Sequence, residues 1–415
     1  MKISRRTIPT TTVRFSLSSL LSLLGNSVAG VVLPLILLAR TGDALAAGSL
    51  ALICAVPQML VGLLGGALLD RMNRRDVSII SDIISATSVA LLPVVDMIWG
   101  LDFSWFVLLG LLGAIGDIPG MTARDTLLPA AVDRDGIDLQ RFLGINQSLE
   151  SLATIIGPAL AAVLIGFIGD SSALWVTAAL SLAAALVTLS LPRAIGRTGN
   201  EHSENEGGSR CGVVAAACAS LRDGVRILFK RDSLLRASML LTFGIIMVMG
   251  SFQALVLPVH FTELGEPALL GYVLSAMSAG LLVGSLGYTA LALRLRRRTW
   301  FVISFVGMAV GVATMGILPA YPLLLGAAFI VGLSAGPASA LLGFFAFDRI
   351  PEGNRGSALG TQNALILIAA PVAVFLTSAV VEVAGVIIGA LALVGCWMLV
   401  TLWALASPSL RHMNE

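Results

Sequence analysis

The sequence predicts an all-α membrane protein whose twelve transmembrane helices form two pseudo-symmetric six-helix bundles. Three observations predict it. Only 12% of the 415 residues are charged and 57% are hydrophobic, with a mean hydropathy of +0.94, whereas a soluble globule carries about 25% charged residues. Apolar runs of spanning length, about 20 residues each, recur twelve times, six on each side of a polar interruption from Pro192 to Arg231. Finally, the small-residue and arginine pattern that closes the second run returns at the end of the eighth.

Taken in order, the first run covers 15–39. It follows Lys2, Arg5, Arg6 and Arg14 and precedes Ala44-Leu45-Ala46, a layout that mimics a cleaved signal. It is longer than the roughly 7 to 15 residues of a signal core and is expected to remain as a span. The second, 47–69, runs into Gly62-Leu-Leu-Gly65-Gly66-Ala-Leu-Leu-Asp70-Arg71-Met-Asn73-Arg74-Arg75. Small residues there admit a neighbouring helix, and the acid with three arginines makes a charged hairpin at the water boundary. Asn73 is expected to hold a tight, left-handed turn. Spans at 77–99, 104–128, 144–168 and 172–191 complete the first half, and 236–261, 268–291, 300–319, 323–347, 360–382 and 385–406 make the second.

The expected domains are 1–195, a linker at 196–231 and 232–415. Gly199 to Ser209 reads as flexible. Val213 to Lys230 places Leu221, Val225 and Leu228 on one helical face and Arg222, Arg226 and Lys230 on another, which suits a helix lying on the inner leaflet or a solvated linker helix. With the N-terminus inside, every Lys and Arg except Arg40 falls on the cytoplasmic side, as the positive-inside rule requires. Gly62, Gly65, Arg74 and Arg75 align at one constant offset with Gly284, Gly287, Arg296 and Arg297, although Ala292 stands opposite Asp70. Such internal symmetry marks transporters built from repeats, with the substrate site between the halves near the midplane.

Few residues carry chemistry. Cys54, Cys211, Cys218 and Cys396 are scattered and the three histidines, His202, His260 and His412, are apart, so neither a disulfide framework nor a metal site is expected. Lys2 and Lys230 are the only lysines, which rules out a phosphate-binding G-x-x-x-x-G-K-[ST] loop. No Lys or Arg is expected deep in a span. Because an ionisable side chain at mid-bilayer is costly, each one is informative. Asp117 sits two thirds through the fourth span, before Ile118-Pro119, where a helix break would open a polar cavity. Glu150 lies two turns into the fifth. Both are candidates for proton exchange, against the alternative that they satisfy a hydroxyl or a backbone gap. Asp82 reads as a solvated residue at the inner end of the third span. Asn26, Gln58, Gln253 and Asn363 either line a cavity or bond helix to helix, and Phe344 with Phe345 forms an aromatic wall or faces lipid.

The pattern G-x-x-x-D-R-x-x-R-R over Gly66, Asp70, Arg71, Arg74 and Arg75 resembles the loop between the second and third spans of the major facilitator superfamily, with Asn73 where that motif usually has glycine. Gly144-x8-Ala153-x3-Gly157-Pro158-x2-Ala161-Ala162 resembles the antiporter motif of the fifth span, with alanine replacing three of its glycines. With Leu128-Pro129, Asn146 and the Leu221 to Leu228 approach to the seventh span, the whole chain resembles the macrolide-efflux and enterobactin-exporter branch. That resemblance implies the major facilitator fold, with Asp70 facing the start of the eleventh span and Asp125 pairing with Arg74 or Arg71 as a latch on the inner gate. Gly25-Asn26 stands where the branch often has Gly-Asp, and an amide exchanges no proton at ordinary pH.

The expected function is secondary active export across the plasma membrane of a moderately hydrophobic organic solute or drug, by proton antiport and alternating access, with both termini cytoplasmic. A dedicated siderophore or metabolite exporter is the alternative, and a polytopic enzyme or receptor is the alternative from another class. The expected partners are a small-molecule substrate, protons and the lipid bilayer. No cofactor, metal or nucleic acid is expected, and the chain is expected to act as a monomer.

Overall fold

The computed structural model describes residues 10–69, 72–137, 139–196, 222–291, 294, 296–350 and 355–407. Six helices precede the linker: α1 (Thr10–Thr41), α2 (Ala44–Leu69), α3 (Arg74–Ile98), α4 (Phe103–Asp135), α5 (Leu139–Ile168) and α6 (Asp170–Leu189). Six follow it: α7 (Ser233–Glu263), α8 (Ala268–Leu291), α9 (Arg297–Gly316), α10 (Tyr321–Arg349), α11 (Arg355–Ala384) and α12 (Val386–Ala406). All twelve are long and apolar enough to cross a membrane. No strand occurs among the described residues.

The connections are short where the local chemistry stops one helix and starts the next. After α1, Gly42 takes a left-handed φ of 63°, open to a residue without Cβ. Asp43 then caps α2 by accepting from the amides of Leu45 and Ala46 at 2.7 and 3.1 Å, satisfying donors that a helix start leaves without partners. Several helices overrun the expected spans. α4 continues to Asp135, where Gly136 ends it with φ 66°, so its 33 residues extend about 50 Å, well beyond a hydrocarbon core of about 30 Å. The helix also carries through Pro119, so the break expected at Ile118-Pro119 is absent. α7 contains a π turn at Phe252–Val256 just before Pro258. Proline has no N–H and crowds the carbonyl four residues earlier, and the wider turn takes up that misfit.

One correction concerns the inner hairpin and one the segment before α7. Asn73 is not left-handed: at φ −67° and ψ 117° it is extended and caps α3, accepting from the Arg75 amide. Its side-chain NH2 donates to the Arg193 carbonyl at 3.1 Å. Beyond the linker gap, Leu228 is fully buried with Leu235, Met239, Ile350 and Ala358, while Val225 is exposed. The segment before α7 is therefore docked on the second bundle through Leu228, which does not face the inner leaflet. Residues 197–221, including Cys211, Cys218 and half of the expected interfacial helix, lie outside the described residues.

The halves meet along α2 with α11, α5 with α8, and α1 with the distal part of α7. A single apolar cluster crosses between them at the end far from Thr10, joining Val32 to Leu38 of α1, Ile165 of α5, Val256 to Phe261 of α7 and Leu270 to Leu274 of α8. At the other end each half has its own cluster, Phe15, Leu127, Leu128, Ala131, Val132, Phe142, Leu191 and Ile195 in the first and the Leu228 group in the second. Among the described residues the bundles are thus joined at one end and separate at the other.

Candidate functional site

The close packing of α3 on α4 creates the site. A Cβ on Gly120 would lie 1.9 Å from Ser81 Oγ, and one on Gly116 would lie 2.8 Å from Ile84, so these two positions, one turn apart, admit α3 only because they lack side chains. Ser81 Oγ donates to the Gly116 carbonyl at 2.7 Å. This approach brings Ser85 beside Asp117 on the wall of one cavity, and brings Asp82 against Arg124.

Above this contact lies a cavity of about 460 Å³ lined by α1 to α4, with Leu367 of α11 as the only lining residue from the second half among the described residues. Its polar groups are Asn26, Gln58, Ser85, Ser88, Cys54 and Asp117; the walls include Leu33, Leu50, Val89, Leu92, Phe106, Leu109 and Met121. Asp117 is its single carboxylate among the described residues. The cavity therefore belongs mainly to the first bundle, whereas the sequence symmetry suggests a site between the halves.

One turn below, a buried charge network joins three helices. Asp82, 2% exposed, forms an ion pair with the Arg124 guanidinium. Arg124 also donates to Ser22 Oγ of α1 at 2.7 Å, and Ser22 donates to the second Asp82 oxygen at 3.1 Å. Asp82 is thus no solvated end residue, and a span does hold a basic side chain within the bundle. The signal was present in helix length: α3 begins at Arg74, so Asp82 stands about 12 Å along it, and α4 continues eleven residues past Arg124, about 16 Å.

Other expected residues go elsewhere. Glu150 accepts from the Asn146 amide at 2.7 Å and does not line the cavity. Gln253, within the π turn, donates to Met277 Sδ at 4.0 Å, and Asn363 is exposed; neither lines this cavity. Phe344 lies under the Arg297 guanidinium, 4.5 Å from it, and Phe345 is buried in the core, so neither is a wall of this cavity. Gly157 packs on Ser27 of α1, and a Cβ on Gly271 of α8 would lie 2.1 Å from the Pro158 carbonyl oxygen. The packing around Gly144 is outside what is described.

The hairpin makes contacts within its own half. Arg75 donates to the Thr188 carbonyl at 3.3 Å, to the Leu189 carbonyl and to Asp76 at 3.1 Å, so it closes the C-terminal end of α6. Arg74 donates to the Thr126 carbonyl at 3.4 Å. The expected Asp125–Arg74 pair is not formed, because Asp125 is exposed while Arg74 turns to the backbone. Asp70 and Arg71 lie outside the described residues, as does the side-chain environment of Gly66.

A family model described as the Major Facilitator Superfamily matches residues 15–265 and 239–414, which is nearly the whole chain. The chain belongs to the major facilitator superfamily. Within it, the chain is 30% identical over 395 residues to the multidrug efflux pump Tap of Mycolicibacterium fortuitum, covering 94% of both chains. It is 28% identical over 144 residues to macrolide efflux protein A of Streptococcus pyogenes, covering 34% of this chain and 35% of that one. The crystal structure of the nucleoside transporter NupG superposes with a TM-score of 0.74 at 14% identity, covering 95% of this chain and 98% of that one. That last likeness concerns the major facilitator fold alone.

Proposed function

We propose that this major facilitator protein is a secondary transporter that exports a moderately hydrophobic organic solute or drug by alternating access, with protons as the coupling ion. The observation that carries the reading is the cavity: about 460 Å³ of largely apolar wall enclosing one carboxylate, Asp117. Such a wall takes up apolar surface, and a lone acid inside it is the group able to exchange a proton. The relatedness to Tap along nearly the whole chain supports export as the direction. The separated end carries the charged hairpin, which the positive-inside rule puts in the cytoplasm, so the conformation corresponds to an inward-open state and both termini are cytoplasmic.

Purified protein in liposomes with an imposed pH gradient, offered lipophilic cations, macrolides and siderophores, tests this. Gradient-driven movement of drugs but not siderophores is expected, and siderophore movement alone would favour the dedicated exporter. Asp117→Asn is expected to reduce gradient-driven flux roughly tenfold, the scale of a lost coupling interaction. Unchanged flux in a folded variant would remove Asp117 from the mechanism and direct attention to Glu150→Gln.

A further inference from the structure

Three charged side chains lie together in the first bundle, and their count decides what the cavity takes. Asp82 and Arg124 neutralise each other, while Asp117 stands two turns before Arg124 on α4, within electrostatic reach of both. Helical side chains lean toward the N-terminus of their helix, so Arg124 leans along α4 toward Asp117. Its Nε is buried without a hydrogen-bond partner among the described residues, so Asp82 and Ser22 leave part of the guanidinium's bonding capacity unused. Among the described residues the other charged groups of the packed elements are engaged elsewhere: Arg74 of α3 donates to the Thr126 carbonyl, Arg14 of α1 to the Ser190 carbonyl, and Glu150 of α5 is bonded by Asn146, while α2 offers the Cys54 thiol. The part of α6 facing α3 has no ionisable residue, and Asp125 of α4 is exposed.

We propose that Asp82 is a positioning residue that holds Arg124 away from Asp117, so that the cavity presents one uncompensated carboxylate and takes one positive charge, either a proton or a monocationic amphiphilic solute. This rests on the antiport reading and deepens it, because a site that holds one proton or one organic monocation exchanges them one for one. An isolated charge in low dielectric is expensive and a paired one is tolerated, which forces Asp117 to hold one or the other. Loss of the Asp82 charge releases Arg124 to pair with Asp117, and the site then needs neither.

The test uses the full chain in liposomes with ethidium, a fluorescent lipophilic monocation, as probe, and thermal melting in detergent as the control for folding. Asp82→Asn is expected to fold, with Arg124 transferred to Asp117, and to lose roughly tenfold or more of the gradient-driven ethidium movement, although Asp82 does not line the cavity. Adding Arg124→Gln to Asp82→Asn again leaves Asp117 uncompensated and is expected to restore most of that movement. Wild-type transport by Asp82→Asn overturns the proposal, as does a folded double variant that stays as inactive as the single. Loss of the folded protein in either variant overturns it too, since the pair would then serve bundle cohesion and Asp117 would not take up Arg124. If the wild-type protein shows no gradient-driven movement of any probe, the antiport reading itself fails. A wild-type response that Asp82→Asn leaves intact sinks this inference alone.

Discussion

Arg75 shows how one side chain can hold a boundary between helices. Its guanidinium reaches the Thr188 carbonyl, the Leu189 carbonyl and Asp76, and Asp76 is held from its other side by Arg193 at 2.6 Å. Carbonyls at a helix end carry partial negative charge without intrahelical partners, so a cation there is doubly suited. Arg75→Ala is expected to destabilise the protein by about 1.5–3 kcal/mol, the value of hydrogen bonds to a charged group, read as a lower melting temperature in detergent. An unchanged melt would mean that solvent replaces these contacts without loss. The arginines of the hairpin were legible from charge and position alone. That Arg75 serves α6 and Arg74 the Thr126 carbonyl was not, because neither spacing nor composition reports which carbonyls stand opposite.

Helices α3 and α4 depend on each other through the bare positions Gly116 and Gly120. A leucine at Gly120 would place its Cβ on Ser81 Oγ and push the helices apart. Gly120→Leu is expected to cost about 1–3 kcal/mol by overpacking and to reduce transport more than it reduces insertion, since the Asp82–Arg124 contact opens with it. Insertion is read by protease protection in vesicles and transport by ethidium movement; full activity would show that the site tolerates a looser pair of helices. In a chain with 43 glycines, a glycine pair four residues apart is a weak signal. The pairing partner that makes it necessary, Ser81, is visible only once α3 is laid beside α4.

The two bundles are joined at one end, and alternating access requires that end to part. α5 and α8 meet there: Ser275 Oγ donates to the Ile155 carbonyl at 2.8 Å, and a Cβ on Gly166 would lie 3.9 Å from that of Ala268, close to the mean separation of about 3.8 Å in a disulfide. Gly166→Cys with Ala268→Cys, in a background without the native cysteines, is therefore expected to cross-link on oxidation and to arrest transport, with recovery on reduction. Transport that continues in the fully cross-linked protein would exclude parting of α5 from α8 as a step of the cycle.

Apolar runs, the distribution of arginines and the repeated hairpin determined from the sequence that the chain crosses the membrane twelve times in two related halves. They could do so because a bilayer imposes its thickness on each span and leaves charges few places to go. Asp117 was legible for the same reason, as an acid in an apolar run. Only the tertiary structure decided that the cavity belongs mainly to the first bundle, that Phe344, Gln253 and Asn363 stand apart from it, and that Asp82 and Arg124 are buried partners. The physical reason is that burial of a charge depends on which helix faces it across the bundle, and that relation, between residues 42 positions apart in the chain, is created by packing.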